Sequence, residues 1–293
     1  MKQPEAIVGR YWHFAIQGRE HRVYVEEAGA GVPLVCLHTA GSDARQYRHL
    51  LNDEAVTRRF RVIAFDLPWH GKSSPPAGFH DEVYALTPQS YVATIMAVIH
   101  GMGLHKPVVM GCSIGGRAVL HLLLMRPDEI GAAIGLQSSR SIVGVLSPFQ
   151  RDLQYMDRHD VHAGDAVAAL VSGVMAPQSP PAERWETLWH YMQAGPGVMQ
   201  GDTAYYKETG LLGDGDLARI DTKRTPLYLL TGEYDWGATP AHGAEVARLV
   251  PGAKFQVMQD IGHFPPSENY AVLRPHLLPV LDELHTHFNE ETP

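Results

Sequence analysis

Val108-Val109-Met110-Gly111-Cys112-Ser113-Ile114-Gly115-Gly116 is the stretch on which the fold turns. An apolar run enters a serine flanked by small residues, and a helical pattern follows at once through Ala118, Val119, Leu122 and Leu123. Gly111 and Gly115 give the G-x-S-x-G form of a nucleophile elbow, a tight strand-to-helix turn that lifts one hydroxyl above a sheet. Glycine suits these positions because a Cβ would clash where strand and helix cross so closely. The serine also opens a helix, where free backbone N–H groups stabilise a developing anion. Glycine-rich turns of this kind also occur for packing alone. The rest of the chain must therefore supply a base and an acid.

On both sides of this turn, apolar runs alternate with helical patterns, the signature of a mostly parallel sheet covered by helices. His21 to Glu26 alternates like an antiparallel edge strand. Pro33–Leu37, Arg61–Phe65 and Pro107–Gly111 read as buried parallel strands. Thr87 as N-cap and Pro88 at the first helical position predict a helix to about His100. The helix after Ser113 should stop at Arg126, ahead of Pro127. Further strands are expected at Ile130–Leu136, Pro226–Leu230 and Lys254–Met258, with a helix from Thr239-Pro240 between the last two. A final helix is expected from about Glu268 to the late 280s.

Residues 141–222 break that rhythm and are too long for a plain loop. Two helical stripes run through them, Val167, Leu170, Val171 and Val174, then Trp185, Leu188, Trp189 and Met192. An inserted helical lid is expected, with a core formed by 1–140 and 223–293. Tyr155, Met156, Met175, Trp185, Trp189, Tyr191, Met192, Tyr205 and Tyr206 make the insert rich in aromatic and methionine residues. Singly, most would serve packing; together they suggest an apolar cavity between lid and sheet.

The chain has 293 residues, 45% hydrophobic and 19% charged, with a net charge of −8 and no basic stripe. Nucleic acid is thus not an expected partner. No signal pattern or bilayer-length apolar run is seen, and Cys36 and Cys112 both fall in buried strand ends. A cytoplasmic location without disulfides is expected. An apolar lid face would serve as a pocket rim or as an interface between copies, which leaves a homo-oligomer open.

Nucleophilic serine chemistry needs a base and a group that orients it. Of 17 histidines, His263 in Asp260-Ile261-Gly262-His263-Phe264-Pro265 follows the last strand. Loops at the carboxyl ends of parallel strands gather at one edge, where Ser113 also emerges. For the acid, Thr231-Gly232-Glu233-Tyr234-Asp235 follows another strand; Asp235 is favoured, with Glu233 next and Asp260 less well aimed. His159 and His162 have ligand-like spacing but lack a third ligand, so no metal site is expected. Neither a P-loop nor a dinucleotide fingerprint is present, and no organic cofactor is called for.

With the order Ser113, Asp235, His263, the chain resembles the α/β-hydrolase superfamily, specifically its lidded esterase and carbon–carbon hydrolase branch. The likeness rests on Leu37-His38-Thr39-Ala40-Gly41, Asp66-Leu67-Pro68-Trp69-His70-Gly71-Lys72-Ser73, Gly111-Cys112-Ser113-Ile114-Gly115-Gly116, Gly232-Glu233-Tyr234-Asp235 and Gly262-His263-Phe264-Pro265. It implies a mostly parallel eight-stranded sheet flanked by helices, with an inserted helical lid. It also implies an oxyanion hole from the backbone N–H groups of Ala40 and Ile114.

Two positions depart from the family pattern. His38-Thr39 replaces the usual His-Gly and sets a hydroxyl beside the oxyanion site, as in hydroxynitrile lyases of this fold. Those enzymes also carry a lysine after the histidine, where this chain has Phe264, so hydrolysis ranks above lyase chemistry. Alternatively, Thr39 makes only a local hydrogen bond. Trp69 stands where the family has glycine, and either walls the pocket or covers the sheet edge. Thr39, Trp69, Trp185, Trp189 and Phe264 are candidate substrate contacts. Arg140, after strand Ile130–Leu136, would meet a substrate carboxylate or act as a salt-bridge partner.

The expected reaction is cleavage of an ester, lactone or thioester of a small apolar or aromatic substrate through an acyl-enzyme. Hydrolysis of a ring-cleavage-type diketone is an alternative, and so is a ligand-binding receptor on the same scaffold. A serine nucleophile argues against haloalkane dehalogenase and epoxide hydrolase activity, whose relatives use aspartate.

Overall fold

The computed structural model describes residues 4–142 and 164–290. Eight strands form one sheet: β1 Val8–Ile16, β2 Arg19–Ala28, β3 Val32–Leu37, β4 Phe60–Phe65, β5 Val108–Cys112, β6 Ala132–Leu136, β7 Leu227–Gly232 and β8 Lys254–Met258. Their order is β1-β2-β4-β3-β5-β6-β7-β8. The pairs β1–β2 and β2–β4 are antiparallel, and every other pair is parallel. The chain thus adopts the mostly parallel eight-stranded sheet with flanking helices.

Continuous apolar runs make the central strands because both of their faces are covered. Every residue of β5 is buried. Val109 packs in one core layer while Val108, Met110 and Cys112 pack in the other. Helices α1 (Arg48–Leu51) and α2 (Glu54–Thr57) cover the second layer, together with α11 (Tyr270–Glu290) through Leu273, Leu277, Leu281 and Leu284. The first is covered by α3 (Pro88–Gly101), α4 (Ile114–Met125) and α9 (Pro240–Leu249). Helix α3 begins as its sequence demands, with Thr87 and Ser90 in a capping box and Pro88 at the first position.

One expectation about the sheet is corrected. The strand containing His21 to Glu26 is not at the edge, because β1 pairs outside it over nine residues. Strand β1 is exposed at most positions, so it carries little of the alternation that marks a half-buried strand. The expected final helix is α11, which starts at Tyr270, and a separate short helix, α10 (Pro265–Glu268), precedes it with Asn269 between them.

Between β6 and β7 lie α5 (Gly164–Ser172), α6 (Pro181–Met192), α7 (Val198–Ala204), a π-helical turn (Tyr205–Thr209) and α8 (Asp214–Leu217). Val167, Val171, Val174, Met175, Tyr191 and Met199 form an apolar cluster with Phe264 of the core. The expected second stripe is corrected. Helix α6 turns Trp185 (67% exposed) and Trp189 (60% exposed) outward and buries Thr187, His190 and Tyr191. The cause is polar: Thr187 donates to Ser267 at 2.9 Å, and Tyr191 meets Thr39. Of the lid residues singled out in the sequence, Tyr155 and Met156, like His159 and His162, lie outside the described residues.

The elbow is tight. A Cβ on Gly111 would come within 2.2 Å of the Gly115 carbonyl oxygen, and one on Gly115 within 2.6 Å of the Leu37 carbonyl oxygen. Neither contact can be relieved by a side-chain rotation, since both are with backbone. Gly111→Ala is expected to cost about 1–3 kcal/mol or more, as overpacking does, read as a lowered urea midpoint. Gly215→Ala, with open space around it, should leave that midpoint unchanged or slightly raised.

Candidate active site

Ser113 follows β5 and is the N-cap residue of α4, with φ 60° and ψ −112°. Such a backbone conformation is strained for a residue with a Cβ. Its Oγ lies 2.8 Å from His263 Nε2, and His263 Nδ1 lies 2.7 Å from Asp235 Oδ2. The structure therefore brings together the serine, imidazole and carboxylate singled out in the sequence. Asp235 Oδ1 accepts from the amides of Gly237 (2.8 Å) and Ala238 (2.9 Å), which fixes the carboxylate. Glu233 is exposed and accepts from the Asp260 amide, while Asp260 Oδ1 accepts from Gln178. Asp235 is the acid that reaches the imidazole.

Nδ1–H donating to Asp235 leaves Nε2 as an acceptor for the Ser113 hydroxyl. Burial alone would lower the His263 pKa, but the charge and hydrogen bond of Asp235 outweigh it, and the value rises above the ordinary 6.5. Two buried side chains hold the loops that carry these groups. Gln137 accepts from the Gly232 amide at 2.9 Å and donates to the Gly262 carbonyl. Glu268 accepts from the amides of Gly262 and Phe264 on the histidine loop and from Ala176 and Ser179 of the insert. Burial raises the Glu268 pKa, an effect those amides offset in part.

Ala40 follows β3 and lines the cavity, and Ile114 follows Ser113. Among the described residues, neither backbone N–H has a hydrogen-bond acceptor. The neighbouring Gly41 amide donates to Asp202 of α7 at 2.8 Å. Asp202 also receives Tyr84 Oη–H (2.7 Å) and lies 2.9 Å from His70 Nε2. The other ring nitrogen of His70 lies 3.0 Å from the Pro68 carbonyl, which can only accept. Both nitrogens therefore donate, and His70 is an imidazolium paired with a buried carboxylate. Burial would lower its pKa, but Asp202 raises it above 6.5. Its neighbour His38 donates to the Thr39 carbonyl and accepts from the Leu67 amide. Burial, aided by the charge of His70, pushes His38 down to about 4.

A cavity of about 120 Å³ opens over Ser113. Its polar lining is Thr39, Ser113, Tyr191, Thr203, Tyr206 and His263; Ile142, Leu170, Val171, Val174, Met199 and Phe264 supply most of the apolar wall. No Asp, Glu, Lys or Arg among the described residues lines it. Thr39 and Phe264 thus lie where the sequence suggested, with the Thr39 hydroxyl bonded to Tyr191. Trp69, Arg140, Trp185 and Trp189 do not line it. Trp69 packs against Phe79 and Tyr84, with ring centroids 5.3 and 5.6 Å away. Arg140 pairs with Asp214 (3.0 Å) and Glu245 (2.8 Å), the salt-bridge role. Trp185 and Trp189 face outward because the hydrogen bonds of α6 lie on its other side.

Sequence reasoning missed Tyr206 as a site residue, although its hydroxyl donates to Ser113 Oγ at 3.0 Å. It also missed Asp202, Gln137 and Glu268. Only Tyr206 left a signal, as one of many aromatic residues in the insert.

A serine on a strand-to-helix turn, with imidazole and carboxylate at the ends of neighbouring strands of a mostly parallel sheet, defines an α/β hydrolase. The chain belongs to the alpha/beta hydrolase fold family, whose model matches residues 32–270. Among solved structures it is similar to a thermophilic esterase from Thermogutta terrifontis, at 19% identity and TM-score 0.79, over 94% of this chain and 99% of that one. It is similar also to the enol-lactonase from Burkholderia xenovorans, at 16% identity and TM-score 0.78, over 92% and 100%. A putative non-heme haloperoxidase from a Mycobacterium phage is 31% identical over 119 residues, 40% of each chain. The chain thus spans less than half the length of that curated relative. No helix among the described residues is long and apolar enough to cross a membrane.

Asp202→Asn is expected to cost on the order of 3–5 kcal/mol, as breaking a buried ion pair does. The sign of the pH dependence follows from the raised value of His70. Its contribution is full below pH 6.5 and disappears as pH rises through the folded-state value. Subtracting the variant's urea stability from that of the wild type should therefore give a difference that shrinks with rising pH. A difference that grows would contradict the imidazolium assignment.

Proposed function

We propose that the chain hydrolyses a carboxylic ester, lactone or thioester with a small, neutral acyl group, through an acyl-enzyme on Ser113. The observation that carries this reading is the unbroken line of contacts from Asp235 through His263 to Ser113, opening into a small uncharged cavity. His263 takes the Ser113 proton as Oγ attacks the carbonyl carbon, and Asp235 stabilises the resulting imidazolium. The backbone N–H groups of Ala40 and Ile114 receive the oxyanion, each contributing about 3 kcal/mol. His263 then protonates the leaving group, and water repeats the sequence on the acyl-enzyme. We take residues 141–222 as the inserted cap, whose helices α5 and α7 line the cavity through Leu170, Val171, Met199 and Thr203.

Size and charge favour this over the other readings. A cavity of about 120 Å³ is somewhat smaller than the ~150 Å³ void that holds benzene. That suits a group of roughly six non-hydrogen atoms. A ring-cleavage diketone carrying carboxylates would need a cation in the wall, and Arg140 is engaged elsewhere. Lyase chemistry would want a cation after His263, where Phe264 stands.

A series of p-nitrophenyl esters tests the reading. Acetate to butyrate should turn over many times, and octanoate should lose most of kcat/KM. Activity should rise with pH through the raised value of His263, because the base must be neutral. Ser113→Ala should reduce kcat by about a million-fold. Hydrolysis that survives this substitution would remove the acyl-enzyme mechanism, and a single slow turnover by the wild type would favour a receptor.

A further inference from the structure

Arg117 lies in the first turn of α4, directly behind the nucleophile, and is 0% exposed. Among the described residues no carboxylate pairs with it. Its Nε donates to the Ser139 carbonyl (2.7 Å), Nη1 to the Tyr206 carbonyl (2.6 Å) and Nη2 to Ser139 Oγ (3.0 Å). The guanidinium carbon stands 4.2 Å from the centroid of the Tyr206 ring. A cation buried without an anion is costly. A neutral donor would hold the same carbonyls at less cost. What the charge adds is a field on the face of one particular phenol.

That phenol donates to Ser113 Oγ at 3.0 Å, while Oγ lies 2.8 Å from His263 Nε2. A cation over an aromatic ring draws on its π-electrons and so makes the ring hydroxyl a stronger donor. Tyr206 belongs to the inserted helices and Ser113 to the core, so the contact exists only with the insert seated.

We propose that Tyr206 is a catalytic residue that hydrogen-bonds the nucleophilic oxygen during acyl transfer, with Arg117 as the residue that positions and polarises it. The proposal rests on the acyl-enzyme reading above. In acylation the Ser113 O–H bond breaks and its proton passes to His263 Nε2. An Oγ electron pair forms the bond to carbon, and the π pair moves to the carbonyl oxygen; when that pair re-forms the C=O bond, the bond to the leaving group breaks and His263 passes it the proton. Tyr206 keeps its proton throughout, and its hydrogen bond is strongest while Oγ carries most negative charge. In deacylation water gives a proton to His263 and bonds to the acyl carbon; the C–Oγ pair then returns to Oγ, and the same donor stabilises it until His263 gives the proton back. Burial holds the Tyr206 hydroxyl protonated well above its ordinary range despite the opposing charge of Arg117, which keeps it a donor at neutral pH.

Stopped-flow acylation and deacylation with p-nitrophenyl acetate tests this. Tyr206→Phe keeps the ring, the stacked guanidinium and the gripped carbonyl, and deletes one hydroxyl. Both rate constants should fall roughly tenfold to a hundredfold, less than for loss of an oxyanion-hole donor, with KM nearly unchanged. Fluorotyrosine at position 206, whose hydroxyl is more acidic, should acylate faster than Tyr206→Phe and at least as fast as the wild type. A purely structural role would not respond to that acidity. Arg117→Lys should retain more acylation than Arg117→Met; should neither fold, the two Tyr206 variants decide. Acylation at the wild-type rate by Tyr206→Phe, with Ser113→Ala inactive, overturns this proposal alone. Activity in Ser113→Ala overturns the reading on which it rests.

Discussion

Ser113 holds φ 60° because Gly111 and Gly115 let β5 and α4 meet with no side chain between them. Everything at the carboxyl edge of the sheet is measured from that contact. It lifts Oγ above the end of the fully buried β5, and it brings the end of β3 against the first turn of α4. The Ala40 loop leaves β3 at that point, so one packing event sets both the serine and the neighbouring amides. Parallel strands then deliver Asp235 and His263 to the same edge, because a β-α-β path always returns the chain in one direction.

Delivery to an edge fixes position only to within a few ångströms, and buried polar side chains supply the remainder. Gln137 spans the loops before Asp235 and His263 with one amide group. Glu268 collects amides from the histidine loop and from the insert. Asp202 joins the insert to the Gly41 amide and to a charged His70. Each has partners on at least two separate segments, so losing one partner strands another in a medium that cannot solvate it. The insert is therefore fastened to the core by hydrogen bonds and charge as much as by the apolar cluster around Tyr191 and Phe264.

That chemistry explains what the sequence made legible. Strands buried on both faces and capped helices leave period and composition signals, so β3 to β8 and α3 could be placed within a residue or two. The elbow and the loops after β7 and β8 carry recognisable short motifs, and with them came Ser113, Asp235 and His263. Strand β1 was missed because an exposed edge has no apolar face to repeat. In α6 the apolar stripe of Trp185 and Trp189 pointed the wrong way, because the face that docks is held by Thr187 and Tyr191 through hydroxyls. Hydrophobic periodicity cannot register a face that binds by hydrogen bonds. Asp202 and Gln137 lie far in sequence from the groups they hold, as Glu268 does from Ala176 and Ser179, and nothing local distinguishes them from surface residues.

Trp69 ties these levels together. It occupies a left-handed position, φ 77°, where glycine would be unstrained, and a bulky residue there costs on the order of 1–3 kcal/mol. Its ring does not touch the cavity. It leans on Phe79 and on Tyr84, and the Tyr84 hydroxyl donates to Asp202, which receives the Gly41 amide beside Ala40. His70, next in sequence to Trp69, completes the same carboxylate. The Trp69-His70 pair therefore reaches Asp202 by two routes, one through ring packing and one through charge. A departure from the family pattern that reads in the sequence as either a pocket wall or a cover for the sheet edge instead buttresses the loop that carries Ala40 and Gly41.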